Sequence, residues 1–123
     1  MKTKTVRAVN ALTSRWAGRA ATGDENTVLT AAGVWPLLAL LADGADGPAR
    51  TELAEALGIP ADTAAEAARE LLTALDGVGG LRAATGLWTR ADLPLEDAWS
   101  ARLPAGTRST LTGSAWRGRR PGR

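Results

Sequence analysis

Apolar positions recur at spacings of three and four through much of the chain, and that period predicts helices. Val9, Leu12, Trp16 and Ala20 form one stripe within Thr5–Ala21, with Arg7, Arg15 and Arg19 left for solvent and Gly23 as a stop. Leu53 and Leu57 make the inward face of a helix over Pro48–Leu57, whose Arg50, Glu52 and Glu55 point outward. Gly58 ends that helix and Pro60 prevents its continuation. Ala65, Ala68, Leu72 and Leu75 stripe Asp62–Leu75, with Asp62 as its cap, Glu66, Arg69 and Glu70 as surface charges, and Gly77, Gly79 and Gly80 closing it. One helix breaks the pattern. From Trp35 to Leu41 the residues Trp35, Leu37, Leu38, Leu40 and Leu41 cover every face, and such a helix belongs inside a larger body. It starts either at Ala31, with Thr30 as N-cap, or near Pro36. Pro36 lacks an N–H and disfavours a helical Trp35, which argues for an irregular turn through Ala32 and Gly33 first.

Strand signals are fewer. Leu81, Ala83, Thr85 and Leu87 alternate with Arg82, Ala84, Gly86 and Trp88 and predict a strand over Leu81–Arg90. Thr27, Val28 and Thr30 predict a very short strand over Asn26–Thr30, and Thr107–Thr112 has weak strand character. Asp92-Leu-Pro94 turns, and Leu95–Leu103 is a short helix with Glu96 and Asp97 in its first turn. A strand, a helix and a second strand would make a crossover unit, although two strands are not a stable sheet alone. The class is therefore α+β, mainly helical, with about five helices, one to three short strands and an incomplete sheet. One partial domain is expected over residues 5–112, followed by an Arg/Gly-rich tail, 113–123, expected to be disordered.

Composition narrows the chemistry. The chain has 123 residues, with five Trp and no Phe, Tyr, Cys or His. That rules out disulfides, thiolate metal sites, imidazole ligands and any His-based triad. The Asp24-Glu25 and Glu96-Asp97 pairs sit at turns or helix starts, where capping explains them better than acid–base work. No serine lies in a nucleophile-elbow pattern, and Gly77–Gly80 leads from helix to strand, the wrong order for a phosphate cradle. No catalytic residue, metal or cofactor is assigned, and the chain reads as a non-enzyme. The abundance of Ala, Gly and Arg over Lys suggests a high-GC, bacterial coding sequence.

The net charge of +2 is uneven. Residues 1–19 carry five basic residues and no acid, residues 20–107 carry five basic residues against all thirteen acids, and residues 108–123 carry five arginines and no acid. Basic ends of this kind are either solvated termini or, in a second reading, the surface by which a small helical module binds nucleic acid or another acidic partner; Trp116 beside Arg117-Gly-Arg-Arg would then stack on a base. The apolar run over residues 36–42 falls short of the ~20 residues a membrane span needs. Lys2, Lys4 and Arg7 are followed by Asn10, Thr13, Ser14 and Arg15 rather than by an apolar stretch, so no signal peptide is evident and a cytoplasmic location is expected as written.

The central stretch carries a resemblance. Asn26-Thr-Val28-Leu-Thr30-Ala31-Ala-Gly33, then Gly44-Ala-Asp-Gly47, then Thr51-Glu52-Leu53-Ala-Glu-Ala-Leu57-Gly58 is similar to the N-terminal part of serpins, the serine protease inhibitors. There the pattern runs Asn-x-Val-x-Ser-Pro-x-Ser/Gly, a buried helix ending in Gly-Ala-x-Gly, and Thr-x-x-Glu-Leu-x-x-Ala-Leu-Gly. Asn10 upstream, and Ala83-Ala-Thr-Gly-Leu87-Trp88 with Leu93-Pro-Leu95 and Trp99 downstream, extend the match from about Asn10 to Thr112.

The resemblance implies a serine protease as partner, a helix start at Thr30-Ala31, and an extracellular location as an alternative for the family. It also implies a shutter region using hydroxyls at the positions of Thr30 and Gly33; Thr30 keeps one and Gly33 has none. Serpins inhibit through an exposed reactive loop near the C-terminus that inserts into the main sheet after cleavage. The match covers roughly the first third of such a domain and holds no reactive loop. A truncated or frameshifted serpin product is therefore expected, not inhibitory alone, with an uncovered core prone to self-association or aggregation. A third reading has this fragment lending a strand or helix to a separate chain that carries the rest of the fold.

Overall fold

A computed structural model describes residues 1–111 of the chain, which divide into two units, one over Met1–Ala83 and one beginning at Ala84. The first unit holds four helices: α1 (Thr3–Ala20), α2 (Trp35–Gly44), α3 (Gly47–Leu57) and α4 (Ala61–Asp76). The second holds β1 (Leu87–Arg90), α5 (Asp97–Arg102) and β2 (Arg108–Leu111). Five helices and one two-stranded sheet among the described residues make a mainly helical α+β arrangement with an incomplete sheet, as the period of the sequence predicts.

The core of the first unit is built on alanine. Ala39, Leu40 and Ala42 of α2 and Ala61, Ala64, Ala65, Ala68 and Leu71 of α4 are buried, and α2 packs chiefly on α4. Small side chains let the two backbones approach closely, so an Ala-rich composition becomes a packing device. Trp35, Leu57 and Ile59 fill the end of this interface. Ala8 and Val9 bring in α1.

Several expected faces are rotated. On α1 the buried residues are Thr5, Ala8 and Val9, while Trp16 is 42% exposed. On α4 the buried stripe is centred on Ala61, Ala64, Ala65, Ala68 and Leu71, leaving Leu72 and Leu75 half-buried, since the small residues seat against α2. Asp62 is not the cap of α4. Pro60 occupies that position with extended backbone, and Asp62 lies in the first turn with its carboxylate on Arg50. Around α2 the all-round apolar pattern is only partly covered. Leu37 and Leu38 are half-buried and Leu41 is 43% exposed.

The start of α2 satisfies both sequence arguments. Thr30 Oγ1 accepts the Ala32 N–H at 3.2 Å, and the Trp35 N–H donates to the Ala31 carbonyl at 2.8 Å, so a helical turn begins at Ala31. The regular helix begins only at Trp35, with Pro36 in its first turn, where a missing N–H costs nothing.

The strands are shorter than the alternation suggests. Asn26–Thr30 joins no ladder, and Val28 is 98% exposed. Of Leu81–Arg90 only Leu87–Arg90 pairs, because a ladder extends no further than its partner. That partner is Arg108–Leu111, parallel, in the register Leu87↔Arg108 to Arg90↔Leu111. Gly86 takes the Trp88 indole over its own Cα, which leaves no room for a Cβ there. The Arg90 guanidinium, hydrogen-bonded to Asp92, holds that carboxyl below the usual carboxylate range. Residues 113–123, expected as a disordered tail, lie outside the described residues.

Among the described residues of the second unit no apolar side chain is buried; Thr107 alone is. A two-stranded ladder without a covered face is marginal in water. Amide hydrogen exchange at neutral pH should therefore show Leu87–Arg90 and Arg108–Leu111 exchanging at least about a hundredfold faster than the α2 and α4 amides. Equal protection in the two units would contradict this reading of the cores.

Candidate functional site

The motif residues converge on the ends of α2 and α3. A helix leaves its last four carbonyls without intrahelical donors, and here side chains from outside each helix supply some of them. At the end of α2, Arg50 Nη1 reaches the carbonyls of Ala42 (3.0 Å), Asp43 (3.2 Å) and Ala45 (3.4 Å), while Nη2 pairs with Asp62 at 2.5 Å. At the end of α3, the Trp35 indole N–H donates to the Leu57 carbonyl at 3.1 Å, and Arg15 Nη2 donates to Ala56 at 2.6 Å. Gly58 closes α3 in the left-handed region (φ 74°), its N–H returning to Ala54. A third link joins α1 to the start of α2: Thr13 Oγ1 accepts the Ala31 N–H at 2.9 Å and donates to the Val9 carbonyl at 3.0 Å.

Local sequence makes this arrangement. Asp46 accepts the Gly47 N–H at 2.8 Å, Pro48 opens α3 without wasting a donor, and Gly47 takes a positive φ of 58° in the turn. Thr51 Oγ1 lies 3.5 Å from the Gly47 carbonyl. The structure thus places Gly44, Gly47 and Thr51 at the α2–α3 turn, Leu53 along α3, and Leu57 and Gly58 at the far end of α3, where the Leu57 carbonyl meets Trp35 four residues after Ala31. Ala31 and Leu57 are fully buried. Thr30 stands at the entrance to α2 as a cap, and Gly33 lies in the turn that follows. Asn26, Val28 and Glu52 are exposed.

Three contributors escaped the sequence reading, among them Arg15, which is left for solvent there and instead donates to the Ala56 carbonyl. Arg50 is placed there on the outward face, yet it folds back over the preceding helix end; the usable signal was a cation a few residues past a helix C-terminus. Thr13 gave no signal at all, because its partner lies eighteen positions away.

Chemically the junction is a brace. An open cleft between α3 and α4 is lined by Arg50, Thr51, Glu55, Pro60 and Asp62, and the Thr51 hydroxyl there is directed to the Gly47 carbonyl. Among the described residues no group of acidic side chains could hold a metal ion, and no helix is long and apolar enough to cross a membrane.

A family model described as "Serpin (serine protease inhibitor)" matches residues 7–112. The chain belongs to the serpin family. The match takes in most of α1, all of α2–α5 and both strands, so the brace at the α2–α3 junction is part of a serpin scaffold. No curated protein and no solved structure matches the chain.

Proposed function

We propose that this serpin chain supplies the helical scaffold of a serine protease inhibitor, and that residues 1–123 do not by themselves trap a protease. The family match supplies the first half of this reading, with a serine protease as the partner class. The observation that carries the second half is the sheet. Among the described residues it consists of two strands of four residues each. Trapping by the serpin route needs a loop that is cleaved and a broad sheet that accepts it as an extra strand. Two short strands with no covered face offer no such acceptor.

The test is incubation of the chain with trypsin-, chymotrypsin-, elastase- and subtilisin-type proteases, followed by SDS gel electrophoresis. No SDS-stable adduct is expected with any of them, and protease activity should stay within about 10% of its starting value at a tenfold excess of chain. A covalent band of the summed mass would overturn the reading. Sequence downstream of codon 123, read in all three frames, would show whether a hinge and reactive loop are encoded there.

A further inference from the structure

From Lys4 to Arg108 every Lys and Arg but one lies inside a helix or a strand. The exception is Arg82. It follows α4, which ends at Asp76, and residues 76–82 are exposed without interruption. The backbone there is held by short-range bonds, the Val78 N–H on the Leu75 carbonyl at 3.2 Å and the Leu81 N–H on the Val78 carbonyl at 3.1 Å. The Ala83 N–H donates to Asp76 Oδ1 at 3.4 Å, a long bond in an exposed setting. Gly79 and Gly80 before this peptide bond, and Ala83 and Ala84 after it, put little side-chain bulk beside the backbone. Exposed segments of small residues are the preferred places for proteolytic nicking.

We propose that the Arg82–Ala83 bond is a cleavage site for a serine protease of trypsin-type specificity, an inference that rests on the partner class proposed above and makes this chain its substrate. Such a protease takes its substrate as an extended strand and seats an Arg side chain in a pocket carrying a carboxylate. Arg82 meets both demands. Gly80 sits at φ 81°, and glycine passes from that region to extended backbone without steric cost, so the segment straightens while α4 stays intact. Elsewhere in the first unit a helix must open before a protease can bind, and the open population scales the rate down. In the second unit Arg90 and Arg108 are paired in the parallel ladder, and the Arg90 guanidinium is also held by Asp92 at 2.6 Å. The reaction is hydrolysis: the bond from the Arg82 carbonyl carbon to the Ala83 nitrogen breaks, and water supplies hydroxyl to the carbon and a proton to the nitrogen. The cut leaves α1–α4 whole in one product.

The test is digestion of the full chain with a trace of trypsin, sampled by intact-mass spectrometry. Between Lys4 and Arg108 the first cut is expected after Arg82. Cuts after Arg117, Arg119 or Arg120 remove only short C-terminal pieces and are told apart by mass. A synthetic peptide of residues 76–88 sets the rate for the unstructured bond, and the native chain should be cut after Arg82 within about tenfold of that rate. Arg82→Gln, at an exposed position, should slow loss of the intact span from Lys4 to Arg108 at least about threefold. A first cut elsewhere in that span, stronger protection of the Arg82 bond, or an unchanged rate in Arg82→Gln overturns the proposal. Fragment masses are read whether or not an SDS-stable adduct forms, so this site and the non-trapping reading fail separately.

Discussion

Trp35→Ala is expected to unfold the four-helix unit at room temperature. The indole is completely buried and is the largest fully buried side chain among the described residues. Truncating a buried Trp to Ala costs about 3–5 kcal/mol, since the lost transfer energy is compounded by the cavity left behind. The substitution also orphans the Leu57 carbonyl, whose donor is the Trp35 indole N–H. Small domains hold only about 5 kcal/mol in reserve, so the combined loss removes most or all of it. Far-UV circular dichroism in a urea titration measures this: the unmutated chain should show a helical pre-transition baseline, and the variant should have none. Trp35→Phe separates the two contributions. It keeps an aromatic ring but no N–H, and the unpaired carbonyl should cost about 1–3 kcal/mol. Equal urea midpoints for Trp35→Phe and the unmutated chain would show that the hydrogen bond contributes nothing.

Arg50→Ala is the second large effect, a loss of about 2 kcal/mol, read as a lower urea midpoint with unchanged slope. Its guanidinium serves three carbonyls at the end of α2, and its side chain is 31% exposed, so these charge-assisted bonds are partly shielded from solvent. The ion pair with Asp62 contributes much less, because the Asp62 side chain is 86% exposed. Asp62→Asn should accordingly cost no more than about 0.5 kcal/mol. Arg50→Lys retains the charge but not the planar fork that spans several carbonyls, so it should fall between the two. If Asp62→Asn proved as damaging as Arg50→Ala, the salt bridge rather than the helix-end clamp would be the source.

These variants bear on how much of the molecule is legible in residue order. Helix positions follow from the three-four period and from punctuation: Asp46-Gly47-Pro48 opens α3 and Gly58 closes it, as local backbone chemistry demands. The ordered motif from Asn26 to Gly58 was enough to suggest the family that the match over residues 7–112 establishes. The face each helix buries was less legible. Alanine carries little hydrophobic contrast, so the period in α4 found Ala65 and Ala68 but ran on to Leu72 and Leu75, where the buried face takes in Ala61, Ala64 and Leu71 instead. Strand length was least legible, because Leu81–Arg90 alternates throughout but pairs only where Arg108–Leu111 lies beside it.

The amino-acid order alone determined which stretches are helical, which chemistry is excluded by the lack of His and Cys, and that Trp35–Leu41 is too apolar for a surface helix. Those properties depend on neighbours within a turn or on composition. Only the tertiary structure decided that Arg50, Arg15 and Trp35 would close the helix ends and that Thr13 would hold Ala31. An unpaired carbonyl or a buried hydroxyl takes whatever partner the packing brings near, and that partner leaves no periodic trace along the chain.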